Sequence, residues 1–90
     1  MFEFDIAPKL QGQMDQLARK DRRILEALKA KISEIVSRDR ATIDFYKNLK
    51  APANGFKRVH VGNFVLLFSV DKAAGKIIFY KFMHHDEAYK

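Results

Sequence analysis

The patterns along this chain predict an α+β two-layer domain of order β-α-α-β-β-β, with an N-terminal strand and an αα-hairpin packed on an antiparallel sheet. Three observations predict it. Residues 2–6, Phe-Glu-Phe-Asp-Ile, alternate apolar and acidic side chains with period two, as a half-buried strand does. From Leu10 to Val36 the apolar residues recur at three- and four-residue steps, the helical period. From Phe56 to Phe82 three strand-like runs follow one another, separated by turn signals.

Taken in order, Phe2, Phe4 and Ile6 are expected to face inward from the first strand. Pro8 ends that strand and suits the first turn of a helix, where its missing N–H costs nothing. Leu10, Met14 and Leu17 give a short helix of about ten residues one apolar face. Asp21 is placed to cap the next helix, of about 17 residues, whose stripe is Ile24, Leu25, Leu28, Ile32, Ile35 and Val36. Residues 38–54 fit either a short helix or an extended connection, and Ala51-Pro52-Ala53-Asn54-Gly55 reads as a loop. Phe56–Val61 is the second strand, and Gly62-Asn63 a two-residue hairpin turn that needs positive φ. Phe64–Val70, apolar at nearly every position, reads as a central strand buried on both faces. Residues 71–75 turn the chain, Lys76–Phe82 is the last strand, and residues 83–90 form a polar tail.

Ninety residues make one domain, 1–90, with a modest core. No apolar run approaches the length of a membrane span, and Glu3 and Asp5 stand where a signal peptide would be basic. The absence of cysteine excludes a disulfide framework, a thiolate nucleophile and a cysteine zinc site, so a cytoplasmic location is expected. The net charge of +6 is unevenly spread. Residues 1–45 hold nine basic against eight acidic side chains, and residues 46–90 hold eight against three. A basic second half points to an acidic polymer as partner, nucleic acid first, against the plainer reading of a lysine-rich solvated surface.

Alternation along the second strand puts Val59 and Val61 on the helix side and Arg58 and His60 on the open face. His84, His85 and Tyr89 follow the last strand, whose exit can carry them over that face, with Lys47, Lys50, Lys57 and Lys81 nearby. Imidazoles, an arginine and lysines without a metal suit RNA cleavage by its own 2′-hydroxyl. That step needs a base, an acid and cations against the charge of the phosphorane. Arg58 offers a phosphate a two-donor fork, and Tyr89 an aromatic face for a base. Each histidine taken singly is more often a solvated or capping residue than a catalyst. His84-His85-Asp86 has the composition of a metal site, but adjacent ligands on an extended tail rarely converge on one ion, so no metal or other cofactor is expected. Phe64, Phe68, Phe79 and Phe82 read as core, and Lys47 and Lys50, taken by themselves, as solvated.

The run K-N-L-K at 47–50, the run G-F-K-R-V-H-V-G-N-F-V-L-L-F-S-V from Gly55, and K-I-I-F-Y-K-F-M-H-H-D-E-A-Y-K from Lys76 together resemble the RelE/ParE toxin superfamily. The resemblance implies a toxin of a toxin–antitoxin pair, silenced by a cognate antitoxin. Its RelE branch enters the ribosomal A site and cleaves mRNA by the metal-free 2′-hydroxyl route. It implies Arg58 as phosphate clamp, His60 and His85 sharing the base and acid roles, and His84 in reserve. It also implies Tyr89 against a base, with Lys47, Lys50, Lys57 and Lys81 along the RNA. The arginine of the family's G-x-Y-R is Val65 here, a departure that leaves two alternatives: a ParE-like toxin that inhibits DNA gyrase by contact, and an inactive relative that only binds its antitoxin.

Overall fold

The computed structural model describes residues 1–48 and 55–88. Its elements are β1 (Glu3–Ile6), α1 (Pro8–Lys20), α2 (Arg22–Val36), a 3-10 turn (Ile43–Phe45), β2 (Lys57–Val61), β3 (Phe64–Asp71), β4 (Lys76–His84) and the single helical turn α3 (His85–Ala88). The four strands form one sheet in the order β1-β4-β3-β2, with the helical hairpin on one face. The strands β2, β3 and β4 pair antiparallel as expected. The first strand instead joins β4 in parallel, Phe4 beside Ile77 and Ile6 beside Phe79, so the whole sheet is mixed. The helical hairpin carries the chain from one end of the sheet back to the other, which is what a parallel pairing requires.

The apolar stripes of both helices enter the core. Leu10 and Met14 from α1 and Leu25, Leu28, Ile32 and Ile35 from α2 are buried against Leu66, Phe68, Ile77, Phe79 and Phe82 of the sheet. Asp21 caps α2 through a side-chain oxygen that accepts from the Ile24 amide at 3.2 Å. Gly62 opens the β2–β3 turn at φ 61°, where an added Cβ would meet nothing within 4 Å, so the backbone conformation and not space selects glycine. Of the three inward residues expected on β1, Phe2 is buried and Ile6 half-buried, but Phe4 keeps 44% of its surface exposed. As a member of an edge strand it meets the core through one edge-to-face contact with Phe79, at 5.9 Å.

Two departures concern β4. The strand continues to His84, two residues past its expected end, so the first histidine of the pair is in the sheet and not on a tail. Its register also slips between Leu67 and Phe68 of β3: Leu67 faces Lys81, whereas Phe68 faces Phe79, and Tyr80 is the extra residue of a bulge. Beyond the reach of β1, the free edge of β4 is met by a side chain. Gln13 of α1 donates to the Phe82 carbonyl at 2.6 Å and accepts from the Phe82 amide at 2.9 Å, taking both bonds a neighbouring strand would make.

The connection after α2 is fixed by Tyr46, which is buried and packs edge-on to Phe68 at 5.7 Å. Its hydroxyl donates to Glu34 and accepts from Arg38 Nε at 3.1 Å. The Tyr46 bond, more than nearby Lys31 and Arg38, holds the Glu34 carboxyl below the usual carboxylate range. A folded-state value below the unfolded one stabilises the protein above the unfolded value, and that stabilisation is lost as the pH falls through the folded value. Tyr46→Phe is therefore expected to cost about 1 kcal/mol at pH 7, the low end for a bond to a charged group because water screens half-exposed Glu34. The gap from the unsubstituted protein should narrow as the pH falls through the lowered folded-state value and the carboxyl protonates. Urea denaturation at neutral and acid pH checks it; an equal gap at both would remove Glu34 from the account.

Candidate functional site

The face of the sheet turned away from the helices is built in rows that the strand register sets. One row runs Arg58–Leu67–Lys81 and the next His60–Val65–Met83. Alternation sends Val59 and Val61 to the core and leaves Arg58 half-buried and His60 exposed on this face. Val65 and Leu67 are buried on it, beneath the longer side chains that flank them in each row. The first row gains a fourth position at its edge. Asn48 bridges Lys57, and the Arg58 amide donates to the Lys47 carbonyl at 3.0 Å, which sets exposed Lys47 opposite Arg58. Lys47, Arg58 and Lys81 thus share one line across about 14 Å of sheet, at roughly 4.8 Å per strand.

The histidines close the upper end. After β4 the chain turns back, and the His85 amide donates to the Asn63 carbonyl of the β2–β3 turn at 2.9 Å. That bond brings the His85 ring over His60, stacked at 5.3 Å between centroids with the planes 28° apart. An imidazole pair on an open face, with a guanidinium two residues along the strand, holds groups that can take up a proton, give one up and bind an oxyanion. The same face turns acidic at its far edge, where Glu3 and Asp5 of β1 lie beside Lys76 and Ile78; Asp5 pairs with Lys76 at 2.7 Å, raising the lysine above its ordinary range. The basic part of the face is therefore bounded.

Two residues expected at this site lie elsewhere. His84 faces Phe64 across the ladder and meets its ring edge-on at 5.6 Å, so strict alternation sends it to the opposite face from Met83. Its Nδ1 accepts from the Asp86 amide at 3.3 Å. Lys57 also points to the helix side, being one residue from Arg58, and is only 8% exposed. Its ammonium donates to the Tyr46 carbonyl at 3.1 Å and to Asn48 Oδ1 at 3.0 Å, and lies 3.3 Å from Asp44. Lys72 and then Lys57 hold the Asp44 carboxyl below the usual range. A lysine used this way fastens residues 46–48 to β2 and has no donor left to offer a phosphate. Lys50 and Tyr89, both expected at the site, lie outside the described residues. Among the described residues no three histidine or carboxylate side chains converge as metal ligands do.

Sequence reasoning missed Tyr80 and Phe56. Their rings meet edge-to-face at 4.9 Å on the open face, one row beyond Arg58 and Lys81. A signal was present: Phe79 and Phe82 are both apolar but three apart, a spacing that brings both to the core only if the strand bulges between them.

No family profile matches the sequence. Over 91 residues, however, it is 41% identical to a protein of Methanocaldococcus jannaschii named "Putative toxin RelE4", covering 100% of this chain and 93% of that one. The chain belongs to the RelE family of toxins. A second relative, an uncharacterised protein of Methanosarcina mazei, is 38% identical over 90 residues, covering 99% and 100% of the two chains. Solved structures share the RelE fold at low identity. The RelBE2 toxin–antitoxin complex of Mycobacterium tuberculosis superposes with a TM-score of 0.74 at 18% identity, covering 92% of this chain and 96% of that one. YafQ of Escherichia coli superposes at 0.73 with 12% identity over 100% of both chains. Among the described residues of this RelE-family chain no helix is long and apolar enough to cross a membrane.

Proposed function

We propose that this toxin is a ribosome-dependent endoribonuclease that cleaves mRNA in the A site by metal-free 2′-hydroxyl attack, represses translation, and is held inactive in the cytoplasm by a cognate antitoxin. The stacked His60–His85 pair, set on the open face beside the Lys47–Arg58–Lys81 line, is the observation that carries this reading. In the reaction one imidazole removes the proton of the 2′-hydroxyl as the 2′-oxygen bonds to phosphorus. The other imidazole gives a proton to the departing 5′-oxygen. The products are a 2′,3′-cyclic phosphate and a 5′-hydroxyl, and the two rings exchange protonation states. Arg58 binds the non-bridging oxygens as their charge grows. Lys47 and Lys81 hold the flanking backbone. Tyr89, Lys50 and His84 keep only the roles that the resemblance suggests. The antitoxin partner finds support in RelBE2 and in the DinJ–YafQ complex of E. coli, which matches over 100% of both chains with a TM-score of 0.65.

A second reading has a specific observation behind it. Val65 stands in the middle of the site, fully buried, where the family pattern has an arginine. A toxin without that cation fits inhibition of gyrase by contact, and also an inactive relative that only binds its antitoxin. Primer extension on mRNA from a translating extract separates these: cuts within codons that need engaged ribosomes support cleavage, and growth arrest with intact mRNA supports the gyrase reading. With Val65 in place Arg58 carries more of the charge. Arg58→Ala is expected to slow cutting roughly 10²-fold, and Arg58→Lys less, because lysine keeps charge without the fork. An Arg58→Lys variant that cuts as fast as the unsubstituted protein would make Arg58 a general electrostatic contributor and not a clamp.

A further inference from the structure

Phe56 and Tyr80 are unaccounted for by the acid–base chemistry. Both rings are half-buried on the face away from the core, whereas Phe2, Phe68, Phe79 and Phe82 are buried in it. The bulge in β4 is what places Tyr80 there, since it turns Tyr80 and Lys81 outward between Phe79 and Phe82. Gln13 fixes the strand just beyond, at Phe82. Phe56 precedes β2 by one residue and reaches across β3 to make the 4.9 Å contact, with ring planes 75° apart. An edge-to-face pair leaves ring surface for a further planar group. The pair adjoins the line of Arg58 and Lys81, about 7 Å along the strands from it at roughly 3.3 Å per residue.

We propose that Phe56 and Tyr80 form a stacking platform for an unpaired nucleobase of the mRNA next to the cut, with Arg58 and Lys81 binding the phosphates that lead to it. Cations beside exposed aromatic rings are how single-stranded nucleic acid is held without base-specific hydrogen bonds. The platform rests on the ribonuclease reading above. It sits on the opposite side of the cation line from His60 and His85, so a base on it would fix which phosphodiester reaches the two imidazoles. Chain position of the message, and hence where cuts fall, is its function.

The test uses the full chain with purified ribosomes programmed with a defined mRNA. Phe56→Leu and Tyr80→Leu keep apolar bulk but lose the ring face. Each is expected to raise the half-saturating concentration of programmed ribosomes about ten-fold and to spread the cuts over neighbouring positions, with thermal unfolding near that of the unsubstituted protein. His85→Gln, run alongside, is expected to slow the cut without moving it. Tyr80→Trp, with a larger ring surface, is expected to lower the half-saturating concentration two- to three-fold, and it decides the matter if a leucine variant fails to fold. Cutting by the leucine variants at unchanged concentration and position overturns the platform, as does an unmoved tryptophan variant. Leucine variants that cut normally but escape a co-expressed antitoxin give the pair to a protein partner and overturn it too. If the unsubstituted protein leaves the mRNA whole, the ribonuclease reading falls, and the platform with it.

Discussion

Replacing His85 by glutamine should slow mRNA cleavage by about 10²- to 10⁴-fold, the range expected when a positioned acid or base is removed. Glutamine keeps a polar planar end but cannot exchange a proton near neutral pH. The main-chain bond from residue 85 to Asn63 is independent of the side chain, so the local fold should survive. His60→Gln is expected to fall in the same range, because the stack makes the two rings one working unit. The double variant should then be little worse than either single one, since partners in one step do not add. The cutting rate of the unsubstituted protein should rise and fall with pH, and each single variant should lose one limb of that profile. Single-turnover cutting of ribosome-bound mRNA measures all of this. Undiminished cutting by both single variants would falsify the acid–base assignment. His84→Gln serves as the contrast: its ring lies against Phe64 on the other face, so a comparable loss there would move the active imidazole.

Phe79→Ala should destabilise the fold by about 3–5 kcal/mol, a large part of the stability of a small domain. Phe79 is fully buried and belongs to the core cluster that the sheet shares with both helices. Its ring lies 5.6 Å from Phe68 and takes the edge contact of Phe4 at 5.9 Å, while its carbonyl accepts from the Ala7 amide at 2.9 Å. Truncation leaves a cavity that the flanking strands, fixed by their ladders, cannot collapse to fill. Phe4→Ala removes a ring already 44% exposed, and about 1 kcal/mol is expected. Equilibrium urea denaturation of both variants gives the comparison. A Phe79 cost no larger than that of Phe4 would show that the core is centred elsewhere.

Much of this architecture is written in local pattern. The α2 stripe, the Asp21 cap and the Gly62 turn each follow from a few neighbouring residues, because helix period and positive φ are local properties. The placement of Arg58 and His60 follows from alternation once Val59 and Val61 are taken as core. The same alternation puts Lys57 with Val59 and Val61 on the helix side, which grouping Lys57 with Arg58 by charge alone overlooks. His84 and His85 were treated as a pair for the same reason, and they part company because β4 runs two residues longer than its apolar run. Tyr80 depends on a bulge, and the parallel seat of β1 depends on a contact between residues more than seventy apart in sequence. Such distant pairings leave little local trace.

That pairing also dictates when the toxin comes into being. The strand at the centre of the sheet beside β1 is β4, the last of the four to be made, and without it β1 has no partner and β3 only one. Gln13 likewise waits for Phe82, and His60 for His85. Through most of its own synthesis the chain therefore holds a helical hairpin and half a sheet, with His60 and His85 on separate, unjoined segments. Contacts that close loops of this length form late, since the chain entropy must be lost before they reward it. The proposed site is therefore incomplete until residues 76–85 have emerged, and the interval before the sheet closes is the period in which an antitoxin can meet the unfinished toxin.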